Sequence, residues 1–325
     1  MKFLVLQTAF IGDAILATAV AEKLHAKYPE AQIDILVRKG NESLFESHPY
    51  IKNIFAWDKK NGKIRNLFHV AGLVRKQQYD HLINLHRFAS SGIITALSGA
   101  KSKRGFDKNP LSFLFTKKYT HEIGGGMHEV ERNQQLIADL TDGKAAQPKL
   151  FPAAEHYKTV EQYKQVEYIC IAPTSVWFTK QLPKEKWVEL CDKLRGESAI
   201  YLLGAPGDHA ACEWIVNKSK NSKVVNLCGK LNFLQSAALM KDAKMNYVND
   251  SAPMHIASAM DAATTAVYCS TIPAFGFGPL SSRSRIVETR LPLKCRPCGL
   301  HGHKACPLGH FECAVSIEIS DLLNP

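Results

Sequence analysis

The sequence predicts an α/β fold of two consecutive doubly wound, Rossmann-like domains, and three observations carry that prediction. Short apolar runs alternate with helical stretches along most of the chain, as parallel sheets built from strand-helix-strand units require. The alternation stops at one polar stretch, Asp142 to Lys149 with Pro148 and Pro152 near its end, and then restarts. A length of 325 residues, 46% hydrophobic and 22% charged, supplies two cores of ordinary size, placed at residues 1–150 and 151–325.

In the first domain Lys2-Phe3-Leu4-Val5-Leu6-Gln7 reads as a buried parallel strand. Thr8 to Gly12 turns the chain, with Gly12 supplying backbone freedom, and Asp13 opens a helix that runs on through Leu24 and stops before Pro29. A carboxylate at that place caps free N–H groups and lies at the carboxyl edge of the sheet, where open α/β sheets bind ligands. An isolated aspartate there serves as an N-cap; a matching turn far down the chain gives Asp13 more weight. The glycine spacing is not Gly-x-Gly-x-x-Gly, so no dinucleotide site is read. Gln32 to Val37, Ile51 to Trp57 and Asp80 to Leu85 are the next strands. Asn66 to Lys76, Ser90 to Ser98 and His128 to Ile137 are helices, and Lys101 to Phe106 reads as a basic turn. His86-Arg87 falls just past a strand end, on the ligand side.

Composition narrows the function. The net charge of +11 is concentrated between Ile51 and Lys118, where 14 Lys and Arg face only Asp58, Asp80 and Asp107, so the rest of the chain sums to zero. One face of the first domain therefore meets something anionic: nucleic acid, a lipid headgroup or an acidic saccharide. No apolar stretch approaches the roughly 20 residues a membrane span needs. The opening residues lack a signal-peptide pattern and the nine cysteines are scattered, so a reducing cytoplasm is expected.

In the second domain strands at Tyr168 to Ala172, Ala199 to Leu203, Val224 to Asn226, Met245 to Asn249 and Thr264 to Tyr268 alternate with helices at Lys184 to Arg195, Ala210 to Val216, Phe233 to Lys241 and Pro253 to Met260. Asn249-Asp250-Ser251-Ala252-Pro253-Met254-His255 repeats the logic of the opening stretch: strand, turn of small residues, helix start. Bare N–H groups at Ser251 and Ala252 attract phosphate, Pro253 suits the first helical turn, and His255 lies one turn in. Thr174, Ser175 and Lys180 leave another strand end, where an ammonium can neutralise a diphosphate. Asp208, in the turn Gly204 to Asp208, can accept from ribose hydroxyls. Two such domains leave a cleft between their carboxyl edges, a place to bring two substrates together.

Taken together, these stretches resemble glycosyltransferase family 9, the ADP-heptose:lipopolysaccharide heptosyltransferases. The matching pieces are Ile11 to Leu16, Trp177 and Lys180 with Leu182-Pro183, Leu203 to Asp208, and Asp250 to His255, with His128 to Leu136 and Phe277 to Leu280 in support. The resemblance implies a GT-B fold and an inverting transfer of heptose from ADP-heptose to a lipopolysaccharide inner core, with no cofactor required. It implies that Asp13 is the general base and that Lys180 stabilises the leaving diphosphate. In the family's terms Asp250, Ser251, Ala252 and His255 would hold the donor; the strand-end positions add Thr174, Ser175 and Asp208 to the donor side, and Gly12 and the basic residues Arg87, Lys101, Lys103 and Arg104 are the acceptor candidates. The family often has Gly at the position of Ala252; a positive φ there would weaken the match. Its acceptors are lipid-anchored and anionic, which implies peripheral association with the inner face of the cytoplasmic membrane.

Cys295-x2-Cys298-x7-Cys306-x6-Cys313 gathers four of the nine cysteines. Four thiolates can enclose a structural zinc; reduced thiols and a disulfide are the alternatives. Other readings keep the fold with a different activated sugar, or make the chain an inactive saccharide binder or a nucleic-acid-binding protein. No nucleic-acid partner is expected, because no recognition-helix, RNA-binding or finger signature accompanies the charge.

Overall fold

The computed structural model describes residues 1–196 and 198–323, and the chain divides into two compact units, Met1–Phe151 and Pro152–Pro325. In the first unit β1 (Lys2–Gln7), α1 (Ile11–Lys27), β2 (Gln32–Arg38), β3 (Ile51–Trp57), α2 (Lys63–Lys76), β4 (His81–Asn84) and α3 (Ala89–Leu97) are followed by β5 (Ser102–Phe106), β6 (Lys117–Tyr119) and α4 (Glu129–Gln135). The strands form one parallel sheet in the order β3-β2-β1-β4-β5-β6. Leu4, Leu6, Leu36 and Leu82 pack with Trp57, Val70, Val74 and Tyr79 into a core, and the apolar face of α1 is buried from Ala14 to Ala21.

The order reverses at β1, where Phe3 pairs with Ile33 on one side and His81 on the other. Connections leave β1 and β4 in opposite directions there, opening a crevice at the carboxyl edge. A polar lock sits deep in this unit. Asp34, fully buried in β2, accepts from Tyr79 Oη at 2.6 Å, Asn53 N at 3.1 Å and Gln32 Nε2 at 2.9 Å. Burial, and then the Asp34 carboxylate, push the Tyr79 phenol far above its ordinary range.

The second unit contains α5 (Ala154–Val160), β7 (Tyr168–Ala172), α6 (Lys184–Lys193), β8 (Ala199–Leu202), α7 (His209–Lys218), β9 (Val224–Asn226), α8 (Phe233–Lys241) and β10 (Asn246–Asn249). It continues with α9 (Ala252–Ala259), β11 (Thr264–Tyr268), β12 (Ser284–Glu288), α10 (Glu312–Val315) and α11 (Ile319–Leu323). Its parallel sheet, β12-β11-β10-β7-β8-β9, has the same strand order as the first, counted from β7. The equivalent crevice therefore lies between β7 and β10.

Three strands differ from the sequence reading. Lys101 to Phe106 is not a basic turn: its last five residues are β5, with Arg104 buried against the fold and paired with Asp139 at the surface. The short β6 and the exposed β12 carry too little apolar alternation to announce themselves. The stretch before Pro152 is also no free linker. Lys149 N–H donates to Thr18 Oγ1 at 2.9 Å, and Leu150 is buried.

Candidate functional site

In the first unit the chain leaves β1 at Gln7 and enters α1 after an extended Phe10, φ −78° and ψ 174°. Gly12 is the second residue of this helix and is not among the described residues of positive φ, so the expected special backbone conformation is corrected. Asp13, the third helical residue, accepts the Phe10 N–H at 3.2 Å, which ties the carboxylate to the helix start and leaves it half-buried.

Across the crevice, beyond β4, His86 is buried with Nδ1 3.1 Å from Thr8 Oγ1. Burial, reinforced by the charges of Lys59 and Arg87, lowers its pKa to about 3, so the ring is neutral. Lys59 donates to Thr8 O at 2.5 Å and is itself lowered to about 8, by burial first and by Arg38 and Lys63. Arg87 is half-buried at the same edge.

The start of α4 brings a carboxyl group that the sequence reading passed over. Glu129 is buried, accepts Arg132 Nε–H at 2.8 Å and lies 4.0 Å from His121 Nε2. Burial raises its pKa to about 7 against the opposing pull of Arg132, and the charge of Asp13 raises it further. Two acids thus share one neighbourhood, with Arg87 and Arg132 acting on both Glu129 and His121. His121 is held neutral, its pKa near 4, by burial first and then by Arg87 and Arg132. His128 caps α4 by accepting Val130 N–H on Nδ1 at 3.2 Å, which puts its ring proton on Nε2. Only the helical character of His128 to Leu136 was legible in the chain; that Glu129 turns inward depends on a partner three residues on.

Three proposed acceptor contacts are corrected. Lys101 pairs with Asp80 at 2.7 Å, and Asp80 in turn accepts the N–H of Lys2 at 2.8 Å. That is the amino edge of the sheet, roughly 17–20 Å along the strands from the crevice. Lys103 Nζ donates to Ala96 O at 3.0 Å near the same edge. Arg104 is 3% exposed, paired with Asp139 and donating to Tyr119 Oη and Leu136 O, both at 3.2 Å. These contacts hold β5, β6 and the segment after α4 together, and the Arg104 bond holds the Asp139 carboxyl below its usual range.

In the second unit two loops converge on the β7/β10 crevice. Asn249 joins them by accepting Leu182 N–H at 2.9 Å. Lys180, in a 3-10 turn at Phe178–Lys180, places Nζ 2.6 Å from Asp250 Oδ2, which also accepts Thr271 Oγ1–H at 2.6 Å. Asp250 is buried, so its carboxylate aims Lys180 more than it addresses a ligand. Ser251 is the extended N-cap of α9, Ala252 the first helical residue, and Pro253 follows within the first turn. Ala252 is not among the described residues of positive φ, so its departure from Gly carries no strain. His255 is buried one turn in. Thr174 and Ser175 are half-buried on the loop leaving β7, and Ser175 O accepts Gln181 Nε2–H at 2.6 Å. Asp208, after β8, accepts its own turn's Ala205 N–H at 2.8 Å with one oxygen. The pairing of Lys180 with Asp250 is the feature sequence could not reveal, because the partners lie on different loops.

All nine cysteines are free thiols. Cys295, Cys298, Cys306 and Cys313 line one cavity of about 250 Å³ together with His310. Among the described residues no three Cys, His, Asp or Glu side chains already stand in ligating array, and no helix is long and apolar enough to cross a membrane.

Comparison with known proteins agrees with this architecture. The chain is 28% identical over 279 residues to lipopolysaccharide heptosyltransferase 3 of Escherichia coli, covering 81% of this chain and 82% of that one. The solved E. coli ADP-heptose lps heptosyltransferase II superposes with a TM-score of 0.82 at 20% identity, over 99% of this chain and 96% of that one. E. coli heptosyltransferase WaaC with ADP-2-deoxy-2-fluoro heptose gives 0.73 at 20% identity, over 89% and 93%. The two parallel-sheet units are those of the GT-B type. Residues 68–307 match the family described as Glycosyltransferase family 9 (heptosyltransferase), and the chain belongs to that family.

Proposed function

We propose that this glycosyltransferase moves a heptose from ADP-heptose, with inversion, to an anionic lipid-linked saccharide of the lipopolysaccharide inner core. The observation that carries the proposal is the Lys180–Asp250 pair beside the start of α9, a cation and bare helix N–H groups at the crevice where α/β sheets take nucleotides. Relatives named as lipopolysaccharide heptosyltransferases support the choice of sugar and acceptor.

In this mechanism the Asp13 carboxylate takes the proton of an acceptor hydroxyl as its oxygen bonds to the anomeric carbon. The bond from that carbon to the diphosphate breaks on the opposite face, and ADP leaves with the electron pair. Lys180 and the N–H groups at Ser251 and Ala252 offset the charge that develops. Thr174, Ser175, Asp208 and His255 complete the donor side. Arg87, with Gly12 leaving room at the α1 start, receives the acceptor's acidic groups.

The enzyme acts from the cytoplasm at the inner membrane surface. Supporting this, the exposed face of α2 mixes Ile64, 71% exposed, and Phe68, 54% exposed, with Lys63 and Arg65 beside Lys60; apolar anchors among cations suit an anionic interface. A donor screen tests the proposal: ADP-heptose raises the melting temperature and yields a heptosylated acceptor, whereas UDP-sugars and oligonucleotides do neither. Stabilisation and turnover with a UDP-sugar alone would assign another donor.

A further inference from the structure

Residues 289–311, between β12 and α10, run as turns and bends and carry three of the four tail cysteines. This strap grips the Lys180 turn. Thr179 N–H donates to His303 O at 3.1 Å, and His303 N–H donates back to Thr179 Oγ1 at 2.8 Å. Cys298 N–H donates to Ser270 O at 2.8 Å, and Ser270 N–H to Thr179 O at 3.2 Å. Arg296 donates to Cys269 O and to Thr271 O, both at 2.7 Å, and Thr271 is the residue whose hydroxyl holds Asp250. Gly302, at φ +75°, comes so close that a Cβ would lie 2.8 Å from Thr179 Oγ1 and 3.1 Å from Lys180 Cγ. The orientation of Lys180 and Asp250 therefore depends on a strap with no helix or strand of its own.

The strap also gathers thiols and an imidazole in one place. Cys295, Cys298, Cys306, Cys313 and His310 line a single cavity whose inner wall is Thr179 and Ser270. Cys295 Sγ stands 3.9 Å from His310 Nε2, where zinc-sulfur and zinc-nitrogen bonds at a tetrahedral angle would put two ligands about 3.6 Å apart. Thiolates with an imidazole select zinc or iron and reject magnesium and calcium. Cys298, Cys306 and Cys313 line the same cavity as that pair.

We propose that Cys295, Cys298 and Cys306, with His310 or Cys313 as the fourth ligand, close around a zinc or iron ion that locks the strap against the Lys180 turn. The proposal rests on the assigned function only through Lys180, and metal content is read without any assay of transfer. The test uses the full chain purified without a histidine tag. Elemental analysis is expected to find about one zinc or iron ion per chain, and cobalt(II) added to metal-stripped protein is expected to give thiolate-to-cobalt absorption. Cys298→Ser and Cys306→Ser abolish both, and removal of the ion raises the KM for the ADP-sugar by about 10- to 100-fold. Metal-free protein that gives no cobalt spectrum, or a disulfide among these cysteines in peptide mapping, overturns the proposal. Should the serine variants fail to fold, the cobalt titration of the unaltered chain still decides it.

Discussion

The two units share one strand order, yet their crevices are furnished with different chemistry. The β1/β4 crevice gathers acids and neutral histidines among cations: Asp13, a Glu129 whose burial keeps it half-protonated near neutrality, and His86 and His121 held uncharged beside Lys59, Arg87 and Arg132. The β7/β10 crevice is built on a buried ion pair and an uncapped helix start. One topology thus serves two tasks, because the loops after the strands, and not the sheet, set the chemistry. A proton acceptor needs a carboxylate whose charge is available, and a diphosphate needs fixed positive potential.

The largest effect that sharpens this comparison is on turnover. Asp13→Ala is expected to lower kcat by roughly 100- to 10,000-fold, the usual worth of a general base. Its stability should drop by only about 1 kcal/mol, as for a helix cap. Transfer at the normal rate would remove Asp13 from the chemistry. Lys180→Ala should behave differently, because it leaves the Asp250 carboxylate buried and unpaired. About 3 kcal/mol of stability is expected to disappear along with transfer. Equal melting temperatures for the two variants would erase the proposed difference between the crevices.

A smaller effect concerns pH. Glu129 has a folded pKa of about 7 against an ordinary value of 4.5, so between those values the folded chain binds the extra proton and stability contributed at this site falls as pH rises. Glu129→Gln removes the loss, and its melting temperature relative to the parent should climb from pH 4.5 to pH 7. The histidines act in the opposite sense. His48, His86 and His121, lowered to about 3, 3 and 4, contribute stability that is lost as pH falls below about 6.5. The difference between variant and parent isolates the Glu129 part; a difference that is flat with pH would contradict it. The smallest expected effect separates the basic residues. Arg87→Ala should raise the acceptor KM with little change for the donor, while Lys101→Ala leaves both unchanged.

Much of this organisation was legible before the coordinates. The buried strands β1 and β7 are apolar runs with clear ends, β11 is a buried run rich in β-branched residues, and all three stand where the sequence places them. The chain around Asp13 and Asp250 also announces itself, since a strand, small residues and a helix start are local signals. Long-range pairing is not local. Arg104 looks like one more surface cation until Asp139, on a later segment, draws it inside. Glu129 looks like one more helix acid until Arg132 and His121 cover it. Gly12 invites a turn, yet it lies inside a helix that already starts at Ile11.

The division of labour between the crevices is tested most directly by titrating ADP, by calorimetry, into Asp13→Asn and Lys180→Ala side by side. Asp13→Asn is expected to bind ADP with the Kd of the parent, and Lys180→Ala more weakly. Loss of ADP affinity in Asp13→Asn, with Lys180→Ala unaffected, would contradict the account at its centre.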